Sequence, residues 1–130
     1  MMENKSVQYH SLVKEIKELI YQRQYEALKK VNTELIQLYW EIGKEIEAQQ
    51  TEQGWGKSVV EILAKELQKE FPGVKGFTAR NLWFMRQFYV EYSADEKLKP
   101  MVSEISWSKN IIIMQKCKDK LQREFYIIDG

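Results

Sequence analysis

The chain is 130 residues long with 20 Lys and Arg against 19 Asp and Glu, so its near-zero balance excludes a uniformly basic nucleic-acid protein or an acidic tail. Hydrophobic residues make up 44% and charged residues 30%, which excludes a disordered chain and predicts one globular domain over residues 1–130 that folds without staples. Six Gly and two Pro leave few breakers, and Leu, Ile, Lys, Glu and Gln dominate, so the expected fold class is all-α.

From Val7 to about Gln50 apolar residues recur at helical spacing, predicting one long helix or two nearly collinear ones. Leu12, Ile16, Leu19 and Ile20 form one stripe. Leu28, Val31, Leu35, Leu38, Tyr39, Ile42 and Ile46 form the next, at steps of three and four that resemble a coiled-coil seam. Such a seam is either the spine of the domain's own core or a surface on which two chains pair; Leu28, Leu35, Ile42 and Ile46 carry the second alternative.

The stretch Thr51 to Gly56, "TEQGWG", punctuates the chain, with Gly54 suited to a left-handed helix end. A second helix, 57–71, is expected to turn Val59, Ile62, Leu63, Leu67 and Phe71 inward and to stop at Pro72. Thr78 can cap a third helix running to about Tyr92. On it Leu82, Met85, Phe88 or Tyr89, and Tyr92 share the inward face, with Arg80, Trp83 and Gln87 opposite and Asn81 and Arg86 on the flanks. The polar run "SADEKLKP" closes that segment. Ser106 or Ser108 can cap a short helix through Lys118, and Asp119 a last one from Lys120 to Ile128. Trp40, Trp55 and Trp107 are expected at the junctions between elements.

Catalysis is poorly served. His10 is the single histidine and Cys117 the single cysteine, so a metal cluster or a Ser, His, Asp triad has almost nothing to build from; no metal and no cofactor is expected. Cys117 fits a small buried side chain. No secretory leader and no 18-residue apolar run appears, so a cytoplasmic protein without membrane contact is expected.

The charge is graded along the chain. Residues 1–56 hold seven Lys and Arg against nine acidic residues, whereas residues 97–123 hold seven against two. A helical pair at 57–92 joined by a Gly-containing turn has the outline of a helix-turn-helix, whose second helix can enter a groove of DNA or RNA. In that arrangement Lys75, Arg80 and Arg86 would hold phosphates, Asn81 and Gln87 would approach bases, and Lys109, Lys116 and Lys118 would extend the footprint. The alternative leaves the two arginines as the solvated rim of a core helix.

The ordered combination "NTELIQLYWEIGKEI", "GWGKSVVEILAKELQKEFPGVKGFTARNLWFMRQFYVEY" and "EISWSKNIIIMQKCKDKLQREFYI" spans nearly the whole chain. It resembles the N-terminal domain of the bacterial YhcG-like proteins. That resemblance implies a largely helical domain of uncertain function that usually precedes a C-terminal nuclease domain of the PD-(D/E)xK type. Such a nuclease needs acidic residues that hold a divalent metal beside the scissile phosphate. Here Glu15-Ile16-Lys17 mimics only a fragment of that motif on a helical surface. The expectation is therefore a non-catalytic domain, lacking the nuclease half. It would position nucleic acid for the nuclease or, as the alternative, form a homodimer or contact a protein partner through the long helix.

Overall fold

The structure is a computed structural model that describes residues 2–128, with side chains described for residues 5–128. Six helices follow in order, with no strand among the described residues: α1 Met2–Gln53, α2 Lys57–Glu70, α3 Ala79–Tyr92, α4 Lys99–Val102, α5 Trp107–Lys116 and α6 Lys120–Ile128. The all-α expectation holds, and the long N-terminal element is one continuous helix of 52 residues. At 1.5 Å per residue it extends about 78 Å, far longer than the rest of the domain needs.

Its end follows from Gly54, the one residue at positive φ (66°) among those described. That conformation carries a Cβ penalty in any other residue, and the Gly54 amide closes the last turn onto the Gln50 carbonyl at 3.1 Å. Thr78 caps α3 as expected, its hydroxyl accepting from the Asn81 amide, and Ser106 does the same for α5 through the Lys109 amide. The Asp119 carboxylate accepts from the Leu121 amide and so starts α6.

Helices α1 and α3 form the central pair, and two apolar clusters gather at their sides. One joins Ile36 of α1 and Phe88 and Tyr92 of α3 to Leu98, Val102, Ile113, Met114, Cys117 and Ile127 of the C-terminal segment. The other joins Tyr39 and Ile46 of α1 and Leu82 and Met85 of α3 to Val60 and Ala64 of α2 and to Phe77. The closest approach is at Gly43, which is buried against the backbone of Met85; a Cβ there would run into the Met85 carbonyl.

Three expectations are corrected. In α2 the inward residues are Val60 and Ala64, with Leu63 and Leu67 at the border, while Ile62 is 61% exposed and Phe71 47%. Small side chains set that face because they let α2 approach its neighbours closely. The chain does not simply close at Pro100: α4 begins at Lys99 and runs through it, tolerating Pro in its first turn, where the missing amide hydrogen has no helical partner to lose. The segment before it is tied by the Asp95 carboxylate, which accepts from the Leu98 amide at 3.0 Å. Finally, α5 ends at Lys116 rather than Lys118, because Cys117 leaves the helical conformation (φ −109°, ψ 94°).

The tryptophans sit at junctions. Trp107 meets the rings of Tyr39 and Phe88 edge-on at 4.9 and 5.3 Å, and Trp40 meets Phe88 at 5.5 Å. Trp55 is half-buried beside the groove between α1 and α2.

Candidate interaction surface

Two surfaces qualify as sites, and the structure treats them differently. On α3 the two side chains expected to approach bases, Asn81 and Gln87, and one expected to hold phosphate, Arg86, are occupied within the domain. The Asn81 carboxamide donates to the Gly76 carbonyl at 2.7 Å and accepts from the Trp107 indole N–H at 2.7 Å. It is therefore a bracket linking the turn before α3 to the start of α5. Arg86 donates through Nε to the Glu47 carboxylate of α1 at 2.6 Å, and Gln87 donates to Glu91 one turn on at 3.1 Å. All three are half-buried.

The connection between α2 and α3 is eight residues, Phe71 to Thr78, longer than the three or four residues of a DNA-binding helix-turn-helix. Gln68 spans it, donating to the Phe77 carbonyl at 2.8 Å.

The remaining cations face outward. Arg80 is exposed with its guanidinium 5.2 Å above the ring of Phe84, and it shares a shallow cleft with Lys75, Thr78 and Phe84. Lys109 and Lys116 border another cleft between α5 and α6. Lys118 reaches the Met114 carbonyl at 3.5 Å. Lys75, Arg80, Lys109, Lys116 and Lys118 form no ion pair among the described residues.

The second surface is apolar and much larger. From Lys5 to Val31 every side chain of α1 except Val13 is exposed, so this half of the helix projects beyond the body. It carries a continuous set of large apolar residues: Leu12 is 53% exposed, Ile16 46%, Leu19 57% and Ile20 50%. An ordinary surface helix turns such a stripe inward. Where the helix reaches the body, the stripe continues through Val31, Leu35 and Leu38 into a groove of about 1210 Å³ between α1 and α2, lined further by Ile42, Leu63, Leu67 and Phe71.

The four seam residues divide accordingly. Leu28 is 70% exposed and Leu35 37%; Ile42 is half-buried in the groove. Ile46 is corrected: at 2% exposure it belongs to the domain's own core, beneath the groove. Leu12, Ile16 and Ile20 take its place. Their signal was the same three-and-four spacing upstream, and what periodicity alone lacked was any indication that the body ends near Asn32, whose amide donates to the Ile105 carbonyl at 3.1 Å.

No three His, Cys, Asp or Glu side chains gather as a metal site among the described residues, and no described helix is long and apolar enough to cross a membrane. A family model for the DUF1016 N-terminal domain matches residues 15–129. The chain belongs to the DUF1016 N-terminal domain family. No curated protein and no solved structure matches it. The match to the DUF1016 N-terminal domain covers the projecting stripe from Glu15 onward as well as the body, so the exposed half of α1 lies largely within the family's own bounds.

Proposed function

We propose that this domain is an assembly module that works through the projecting half of α1. One observation carries the reading: exposed apolar residues stand at helical spacing from Leu12 to Ile20 and, past the polar Arg23 and Gln24, again from Leu28 to Leu38, where they run into the groove between α1 and α2. An exposed apolar surface of this extent is costly in water and is the usual mark of a protein contact. Helix stability points the same way. Residues 5–31 make almost no tertiary contact, and isolated helices are marginal in water, so a partner surface supplies what the body does not. In a YhcG-like protein such a module would bring nuclease domains together.

A photo-reactive residue at Ile20, expressed in cells, tests this reading. A covalent protein adduct is expected from position 20 and not from Glu18 on the polar face. Absence of any adduct at position 20, from a folded protein, would refute the reading.

A second reading, nucleic-acid positioning, is supported by Lys75 and Arg80 on one cleft without acidic partners. On this reading Lys75, Arg80 and Lys109 neutralise phosphates, giving a slope of log affinity against log salt of roughly −3. Lys75→Ala with Arg80→Ala would weaken DNA or RNA binding without loss of stability; binding unchanged by that pair would remove the reading.

A further inference from the structure

The outer face of α3 carries two small clefts that share a wall. One, of about 330 Å³, lies between α2 and α3 and is lined by Lys57, Glu61 and Trp83. The other, of about 310 Å³, lies between α3, α5 and the turn before α3 and is lined by Lys75 and Ile111. Arg80 and Phe84 line both, with the guanidinium 5.2 Å from the centroid of the ring. Positions 80, 83 and 84 are one helical turn apart, so they present one continuous surface.

Charge and ring chemistry on these clefts name an occupant. Lys57, Lys75 and Arg80 are exposed and form no ion pair among the described residues, and Glu61 is the one acid on either cleft. Three cations against one carboxylate favour an anion. Cations alone would accept any polyanion; Trp83 and Phe84, half-buried in the cleft walls, narrow the choice to one that also carries flat rings. Phosphates alternating with bases that stack on aromatic side chains are the chemistry of nucleic acid. Each cleft is at the lower end of the size of a small-molecule pocket, so it takes one base and not a duplex. In a duplex the bases show only their groove edges, and Asn81 and Gln87, the α3 side chains suited to those edges, are already bonded within the domain. A single strand can turn its bases out onto aromatic side chains while its phosphates stay on the cations.

We infer that the paired clefts of α3 bind a single strand of nucleic acid. The strand crosses α3 at Arg80. One base lies against Trp83 and the next against the Arg80 guanidinium where it backs onto Phe84, with Lys57 and Lys75 holding phosphates on either side. Glu61 shares the cleft of Trp83, where its carboxylate accepts from a base amino group. The inference rests on the nucleic-acid reading and adds strandedness, Lys57 and the two aromatic side chains; it is independent of what α1 binds.

Fluorescence anisotropy of the full chain with four labelled probes of equal length tests it: single-stranded DNA, single-stranded RNA of the same sequence, the DNA as a duplex, and an abasic sugar-phosphate strand. A single strand is expected to bind about tenfold or more tighter than the duplex and the abasic strand, and the tighter of DNA and RNA identifies the source. Trp83→Leu keeps apolar bulk but loses the ring, so it should weaken the single strand about fivefold or more and leave the abasic strand unchanged, with Trp83→Phe restoring most of the loss. Lys57→Gln, at an exposed position outside the core, should make the slope of log affinity against log salt shallower by about 0.7. An unchanged slope would overturn the path across both clefts. Equal binding of all four probes, or equal loss of the normal and abasic strands in Trp83→Leu, would overturn the single-strand inference; if Lys75→Ala with Arg80→Ala then still weakened every probe, the nucleic-acid reading would survive it. Binding of none of the four would overturn both.

Discussion

The indole N–H of Trp107 donates to Oδ1 of Asn81 at 2.7 Å, and this single bond joins the start of α5 to the first turn of α3. It converts the most base-reader-like side chain of the sequence into a structural one. Trp107→Phe keeps much of the ring packing against Tyr39 and Phe88 but leaves the Asn81 oxygen without its donor, so a loss of about 1–3 kcal/mol in denaturant unfolding is expected. Combined with Asn81→Ala, the total should be smaller than the sum of the two single losses.

Gly43 sets the spacing of α1 and α3. Ala is the better helix former by about 1 kcal/mol, yet a methyl group at position 43 would meet the Met85 backbone, which cannot swing aside as a side chain can. Gly43→Ala should therefore destabilise the domain by about 1–3 kcal/mol net. Gly73, with nothing near its would-be Cβ, is the control: Gly73→Ala should change thermal stability little.

Tyr92 makes stability fall in alkali. Burial pushes its phenol up to about 12, with the nearby Arg123 guanidinium pulling in the opposite direction and Glu91 adding to the rise. The unfolded chain loses this proton near pH 10 and the folded one near 12, so the folded state binds the proton more tightly in that window. Stability is full below pH 10 and declines as pH rises to 12, by about 2–3 kcal/mol from this group. Tyr39, also raised by burial, acts in the same direction. The Tyr92 hydroxyl finds no hydrogen-bond partner among the described residues, so Tyr92→Phe should be near neutral at pH 7 and flatten the alkaline decline followed by circular dichroism.

Core and stripe should separate by experiment. Ile36→Ala or Ile46→Ala opens a cavity in a fully packed site and should cost about 2–5 kcal/mol. Leu12→Ser or Ile16→Ser should leave the unfolding of the body unchanged within about 0.5 kcal/mol and act on association alone.

Much of the fold was legible because several elements announce an end or a face: Gly54 at positive φ, Thr78 and Ser106 as caps, and the inward row Leu82, Met85, Phe88 and Tyr92. The inward face of α2 was less legible. Bulk pointed to Ile62 and Phe71, whereas close packing selected Val60 and Ala64. Long-range polar ties left no local signal. Arg123 donates to the Cys117 carbonyl at 2.6 Å and pairs with Glu91 at 2.8 Å, which fastens α6 across α3. Asn110, fully buried, donates to the Val102 carbonyl at 2.9 Å. The double use of α1 was hidden for another reason: between residues 31 and 46 it has two apolar faces, and periodicity cannot say which one the body covers. Ile36 and Tyr39 went to the core and Leu35 and Leu38 to the surface.

Amide hydrogen exchange, followed segment by segment at a concentration high enough for association, tests the central claim most directly. Residues 5–30 should be protected to within about tenfold of residues 36–46, and the protection should vanish in the Ile16→Ser, Ile20→Ser variant. Rapid exchange across residues 5–30 at every concentration and also in the presence of cell extract, beside slow exchange in 36–46, would contradict the account, for it would describe a helix standing in water with nothing against it.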